Sequence, residues 1–342
     1  MNISRNKWRA VAVTAAISAA FIIVFLLAVL SMRGRETEAV DESATDTVKV
    51  AERLNFLLLG CDRTSGLTDV MMLVSVDTDG GSMDILQIPR DTYARYTRRS
   101  YKKLNGAMAV LGGADKLCEF ISESMGVDID GYFLFTPDAF VKTVDALGGV
   151  EIDLPFDMDY TDPYQGLSIH LDAGWQTLDG EAAEKFVRYR AGYVRGDIGR
   201  MDAQKLFMAA LARKVTQTLT PTSALRILKA LSGEIQTDLS LGEMTELALT
   251  ALKIKTENIT MMTLSGEDVR LGSGGAWYYV LSASAAQSAL REYAGAELDF
   301  DRDGVFYDPQ NAEMERIYRS DMTNLPSRAS DISENGIEIQ KR

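Results

Sequence analysis

Hydrophobic and polar positions divide the chain into successive regimes. From Ala10 to Met32, 23 consecutive residues are uncharged and mostly apolar. At 1.5 Å per residue a helix of that length crosses a hydrocarbon core of roughly 30 Å. The run continues into Ser31-Met32-Arg33-Gly34-Arg35 with no small-x-small cleavage site, so it reads as an uncleaved transmembrane anchor. Residues 33–52 are acidic, polar and aperiodic, as a linker is. A folded domain is expected over 53–295, and after Ala296 the polar chain loses any sustained period, which predicts a mostly disordered tail over 296–342.

Within 53–295 the apolar runs Asn55–Gly60 and Val70–Asp77 are bounded by turn residues, the mark of buried strands. Asp79-Gly80-Gly81 supplies a hairpin turn and Ser82–Ile88 the partner strand. Helical spacing follows over Ala114–Met125, closed by Gly126, and over the residues after the Thr136-Pro137 cap, closed by Gly148-Gly149. Gly131–Phe135, Val150–Leu154 and Leu167–Leu171 read as strands, Asp179 caps a helix through Phe186 and Val187, and a longer helix is expected from about Gly199 to Lys214. Downstream, 223–231, 241–252 and Tyr278–Tyr293 read as helices and Ile259–Leu264 as extended. This mixture predicts an α/β (mixed α+β) domain with a central mixed sheet flanked by helices.

Charge then constrains location and partners. The net charge is −13, yet the first 35 residues hold five basic residues and no acid, so residues 36–342 carry −18. Such an acidic domain is no general nucleic-acid binder, which needs a basic face. Arg5, Lys7 and Arg9 precede the apolar run, while Arg33 and Arg35 follow it with Glu36 and Glu38 close behind. The bias favours residues 1–9 in the cytoplasm and the bulk of the chain outside it. Two cysteines, Cys61 and Cys118, make no disulfide framework, and a single histidine, His170, leaves no basis for zinc sites or histidine-based triads. Any metal should be a hard, oxygen-ligated cation.

Against this acidic background, arginine is concentrated. Arg188, Arg190, Arg195 and Arg200 fall within thirteen residues with Asp197 among them. Arg90, Arg95, Arg98, Arg99, Lys102 and Lys103 face one acid, Asp91, after the third strand. A rigid guanidinium fork suits phosphate oxygens, although a charge run also serves as a solvated face. Asp62 and Asp69 sit around the loop joining the first two strands, where two carboxylates can share Mg²⁺ or Mn²⁺ or simply make a turn. Asp299, Asp301, Asp303 and Gly304 imitate an EF-hand opening, but Gln310 stands at position twelve, which favours a turn. Trp277, Tyr278 and Tyr279 read as core in preference to a sugar platform, and Cys61 as a small buried hydrophobe.

The ordered series LLLGCDR, TDVMMLVSVD, ILQIPRDTY, KLNGAM, VDALGGVEIDLP, LDGEAAEKFVRYR and DIGRMDAQ resembles the LytR-CpsA-Psr family of cell-wall glycopolymer ligases over about residues 53–295. The resemblance implies a central sheet, a hydrophobic pocket for a polyprenyl chain, and an extracytoplasmic catalytic domain in a Gram-positive-type envelope. It implies a Mg²⁺-assisted phosphotransferase that moves a polymer from polyprenyl pyrophosphate to a peptidoglycan sugar hydroxyl. By position, Asp62 and Asp69 would hold the metal, and Arg90, Arg188, Arg190 and Arg200 the pyrophosphate. Arg63, Asp91, Lys103, Asn105, Asp197 and Gln204 would complete the polar shell, with Tyr189 in an aromatic slot. Ala203 stands where the family often has arginine. An acceptor hydroxyl must lose its proton, and either Asp91 or Asp197 can take it. Hydrolysis of the same lipid-linked pyrophosphate, or polymer binding without turnover, would use the same pocket.

Overall fold

The computed structural model describes residues 53–62, 66–97, 102–162, 167–194, 196–218, 235–240, 242–244, 247, 254–271, 276–306, 314–318, 327, 328 and 332. The expected anchor, the linker up to residue 52 and most of the helices expected over 223–231 and 241–252 lie outside the described residues, as do Arg63 and Arg195. Among the described residues no helix is long and apolar enough to cross a membrane.

The chain opens with β1 (Arg53–Cys61), β2 (Thr68–Asp77) and β3 (Ser82–Gln87), then a short ribbon of β4 (Tyr93–Ala94) and β5 (Lys102–Lys103). Helices α1 (Ala107–Leu111) and α2 (Ala114–Met125) lead into β6 (Gly131–Phe135) and α3 (Pro137–Ala146). Four short strands follow: β7 (Val150–Leu154), β8 (Met158–Asp162), β9 (Leu167–Leu171) and β10 (Gly174–Leu178). After α4 (Gly180–Arg188) and the long α5 (Asp197–Thr218) come β11 (Ile235–Thr237), β12 (Ile259–Thr263), β13 (Gly266–Leu271) and β14 (Trp277–Leu281). Helix α6 (Ala283–Ala294), β15 (Met314–Tyr318) and β16 (Ser327–Arg328) complete the order.

One seven-stranded mixed sheet, in the order β11-β6-β1-β2-β3-β12-β16, organises the domain. β1, β2 and β3 form an antiparallel meander, and β6 and β12 add in parallel to β1 and β3. Its central strands are apolar at nearly every position because both faces are covered. Phe56, Leu58, Met72 and Val74 face α3, α4 and α5 through Phe140, Phe186 and Phe207. Leu57, Leu59, Met71 and Leu73 face α2 and α6 through Leu117, Ile121 and Leu290. The expected sheet flanked by helices follows from this alternation of successive side chains.

Caps land where the sequence places them: Thr136 accepts from the Ala139 N–H and Asp179 from the Ala182 N–H. One expectation fails. Tyr278–Tyr293 is not one helix, because the aromatic and β-branched run Trp277–Leu281 forms β14 and the helix starts only at Ala283. Within 296–342 the described residues include ordered pieces: Phe300 and Phe306 are buried with rings stacked at 5.4 Å, and β15 pairs with β13 and β16 with β12. A local period is invisible there because each piece docks on an existing edge.

Candidate functional site

The β2–β3 hairpin builds the first wall. Its register pairs Met72 with Gln87, and the Ile88 N–H donates to the Met71 carbonyl beyond the last pair. Continued in the same step, that register sets Asp69 across from Arg90. Arg90 Nη1 donates to Asp69 Oδ1 at 2.8 Å. Asp69 lies within β2, not in the loop before it, and Asp62 follows β1 directly with Oδ1 accepting from the Gly66 N–H at 2.8 Å.

The N-terminus of α5 builds the second wall. Asp197 occupies its first turn, where the helix dipole favours a carboxylate, and Arg200 lies one turn on. Arg200 donates to the Asp197 carboxylate at 2.9 Å, Arg90 Nη2 reaches Asp197 Oδ1 at 3.3 Å, and Arg190 Nη1 stands 3.9 Å from the same oxygen. The segment carrying Arg190 is held by three packed rings, Phe156–Tyr189 at 5.8 Å, Phe156–Tyr193 at 5.6 Å and Tyr189–Tyr193 at 5.8 Å. Gly192 is needed there, since a Cβ would stand 2.6 Å from the Phe156 ring.

Burial and charge then set the electrostatics. Burial pushes the Asp69 carboxyl up to about 6, with Arg90 and Arg200 pulling it down and Asp62 adding a further push. Burial also works on Asp197, but Arg200, Arg90, Arg190 and Lys103 together hold it below the usual carboxylate range. Arg90 is desolvated too, and Asp197, Asp69 and Asp91 nevertheless keep its proton tighter than an ordinary guanidinium's. Burial drives Arg200 down to about 10, so it remains charged at neutral pH.

The remaining expected residues divide. Lys103 Nζ donates to Asp91 Oδ2 at 2.6 Å, and Asp91 Oδ1 is 3.8 Å from Arg90 Nε, so this pair adjoins the arginine group on its solvent side. Asn105 contributes through its backbone, its N–H donating to the Arg90 carbonyl at 3.0 Å. Arg188 donates to Glu184 Oε1 at 2.9 Å along its own helix. Gln204 lies on a buried chain: Thr263 Oγ1 donates to Gln87 Oε1, Gln87 Nε2 to Gln204 Oε1, and Gln204 Nε2 to the Val187 carbonyl, at 3.2, 3.2 and 3.4 Å. Glu184, Gln87 and Thr263 are hydrogen-bonding neighbours of the candidate residues that the sequence does not point to. The only signal for Gln87 is an amide inside the apolar run Ile85–Ile88. Asp69, Gln87, Arg90, Asp197, Arg200 and Gln204 supply the polar lining of one recess of about 210 Å³ including its open mouth, with Met71 and Met201 among its apolar walls.

Asp69 Oδ2 is buried and has no hydrogen-bond partner among the described residues. Such an orphaned oxygen costs free energy unless a ligand satisfies it, and it fits a hard cation. No group of three or more His, Cys, Asp or Glu side chains arranged to hold a metal occurs among the described residues, so a cation here would draw most ligands from substrate or water. Cys61 and Cys118 are both free, and burial pushes their thiols up, that of Cys118 to about 12. His170 sits on the exposed face of β8–β9, bonded to Asp159 and Ser168 at 2.8 and 2.9 Å. Asp301 makes the expected turn, its Oδ1 accepting from the Phe306 N–H at 2.8 Å. The aromatic run expected in the core splits: Tyr279 is buried, Tyr278 half-buried, and Trp277 exposed with the Arg270 guanidinium 5.9 Å from its ring centroid. Ala203 is fully buried in the core.

A central mixed sheet with an arginine–carboxylate cluster built on β2, the turn after β3 and the start of α5 defines an α/β protein with a buried charged site. Residues 27–294 match the LytR_cpsA_psr family model, and the chain belongs to that family. It is 31% identical over 255 residues to the polyisoprenyl-teichoic acid–peptidoglycan teichoic acid transferase TagU of Oceanobacillus iheyensis, covering 72% of this chain and 77% of that protein. TagV of Bacillus subtilis, named for the same activity, is 28% identical over 242 residues, 70% of this chain and 61% of that protein. The crystal structure of B. subtilis TagV superposes with a TM-score of 0.62 at 26% identity, covering 72% of this chain and 99% of that one. The chain is accordingly an enzyme of the transferase class.

Proposed function

We propose that this enzyme, tethered by its 10–32 segment, moves a glycopolymer from a polyprenyl-pyrophosphate carrier to a sugar hydroxyl of peptidoglycan. The observation that carries the reading is Arg90 bridging Asp69 and Asp197, with Arg200 behind and Arg190 beside it. Buried ion clusters add little to stability, because desolvation offsets attraction. A set of arginines converging on one recess is instead suited to neutralise the charge that develops on phosphate oxygens. The relatives' names supply teichoic acid as the model for the polymer.

In the proposed step the acceptor oxygen bonds to the sugar-linked phosphorus, the bond from that phosphorus to the bridging oxygen breaks, and polyprenyl phosphate leaves. Arg90, Arg190 and Arg200 hold the pyrophosphate oxygens while Gln204 fixes the helix that presents Arg200. Asp91 takes the acceptor proton. Asp197 is a poor base, because four cations hold it ionised, whereas Asp91 stands at the more open edge of the site with two cations near it, Lys103 at 2.6 Å and Arg90 Nε at 3.8 Å. Asp69, with Asp62, would hold Mg²⁺ or Mn²⁺, whose charge would add to that of the arginines at the phosphates.

The test supplies a short polyprenyl-pyrophosphate-linked sugar and peptidoglycan oligomers to the purified full-length enzyme, with Mg²⁺ or a chelator. The expected product is a phosphodiester-linked oligomer that disappears with chelator. Free sugar phosphate as the sole product would replace transfer by hydrolysis, and no product with any donor would remove the reading.

A further inference from the structure

The site has two unlike open ends. Arg90, Asp69 and Arg200 have side chains 6%, 0% and 2% exposed, whereas those of Arg190 and of the Asp91–Lys103 pair are 41%, 26% and 33% exposed. At the first end Arg190 is only loosely matched by Asp197 at 3.9 Å, which leaves positive charge for an anion. At the second, Lys103 is paired with Asp91 at 2.6 Å, which leaves less positive charge for an anion there.

Two tyrosines flank that neutral end. The Tyr279 N–H donates to the Asp91 carbonyl at 2.9 Å, a single bridge ties Thr92 to Tyr279, and the Tyr279 hydroxyl donates to the Leu264 carbonyl at 3.1 Å. This fastens β14 beside the Pro89–Thr92 turn that carries Asp91 and brings Tyr278 to it, with its ring edge-on to buried Tyr93 at 5.0 Å and 83°. Tyr96 comes from the other side, its hydroxyl donating to the Lys103 carbonyl at 2.9 Å and its ring packed edge-on to Phe120 at 6.3 Å. Both phenols are half-buried, and burial raises each, with the charge of Asp91 adding to the effect on Tyr278.

We propose that Tyr278 and Tyr96 form the acceptor subsite, binding the uncharged sugar backbone of the acceptor glycan so that one of its hydroxyls meets Asp91. This deepens the transferase reading and rests on it. A ring held at fixed orientation offers an apolar face to sugar C–H groups, and its hydroxyl both donates and accepts. The Asp91–Lys103 pair adds one acceptor and one donor without net charge. An uncharged polyhydroxylated ligand matches that set, and the end marked by Arg190 is left to the anionic donor.

The experiment measures binding of peptidoglycan oligomers to the full-length enzyme by saturation-transfer NMR without donor, and separately the donor Kd and the oligomer KM in transfer. Tyr278→Ala should weaken oligomer binding and raise the oligomer KM about tenfold, the loss of roughly 1.4 kcal/mol, with the donor Kd unchanged. Tyr278→Phe and Tyr96→Phe, which keep the rings and the fold, should each raise the KM about threefold, on the order of 0.7 kcal/mol. Trp175→Ala, at an exposed tryptophan of β10, serves as the control and should leave all three unchanged. Equal oligomer binding by wild type and Tyr278→Ala, or donor and oligomer affinities falling together, overturns the subsite. Because the binding arm needs no turnover, it stands apart from failure of the transferase reading, which would show as wild type making no oligomer-linked product.

Discussion

Arg90 holds Asp69 with one terminal nitrogen at 2.8 Å and Asp197 with the other at 3.3 Å, so one guanidinium ties the β2 wall of the site to the α5 wall. Only a planar fork makes both contacts at once. Arg90→Lys should lower kcat/KM by ~10²–10³-fold, the scale of removing an oriented charge stabiliser. Steady-state transfer assays with the oligomer acceptor check it, and activity within threefold of wild type would mean that charge alone suffices.

Asp91 and Asp197 separate by the kind of damage their amides cause. Asp91→Asn should cut kcat by ~10²–10⁴-fold while donor binding and thermal stability stay near wild type, as for loss of a base. Asp197→Asn leaves buried arginines without their counter-charge and should cost roughly 3 kcal/mol of stability. Denaturation midpoints measured beside kcat distinguish the two, and a stable, inactive Asp197→Asn would reverse the assignment of the base.

Stability should carry the signature of Asp69. Its folded pKa of about 6 lies above the ordinary carboxylate value of 3.8, so the folded protein binds the proton more tightly than the unfolded chain. The group's contribution is therefore full below pH 3.8 and is lost as pH rises through about 6. In metal-free protein, the stability of wild type relative to Asp69→Asn should fall across that window and level off above it. Urea titrations at half-unit pH steps give the difference, and a flat difference contradicts the burial effect.

The buried chain from Thr263 through Gln87 and Gln204 to the Val187 carbonyl positions the end of α4 next to Arg188. Gln87→Ala should raise the donor Kd by roughly fivefold, about 1 kcal/mol and the net worth of one buried hydrogen bond. Thr263→Val should do the same, and Thr263→Ser should restore wild-type affinity. Equal loss with Ser and Val would mean that the site responds to packing and not to the hydroxyl.

How much of this is legible in sequence varies with how local the cause is. The hairpin that pairs Asp69 with Arg90 is legible because Asp79-Gly80-Gly81 marks its turn, but the reach of the strand back to Asp69 is not, since the apolar run starts only at Val70. Asp197 and Arg200 are one helical turn apart and readable. Thr263 and Gln87 are 176 residues apart, and only the parallel addition of β12 to β3 makes them neighbours. β8, β10 and β13 escape because they are short and mostly surface-lying, with no apolar run to mark them. Tyr278 looks like core by composition; it is only half-buried because β14 is an edge strand.

The three rings of Phe156, Tyr189 and Tyr193 belong to the same packed interior as Phe186 and Phe207. The arginine-bearing segment is therefore not a loop that folds around its ligand but an extension of the core into the site. Binding spends little free energy on ordering it, and loosening the core disturbs the arginines before the sheet unfolds. Heat inactivation and loss of the aromatic near-ultraviolet signal should then share one temperature.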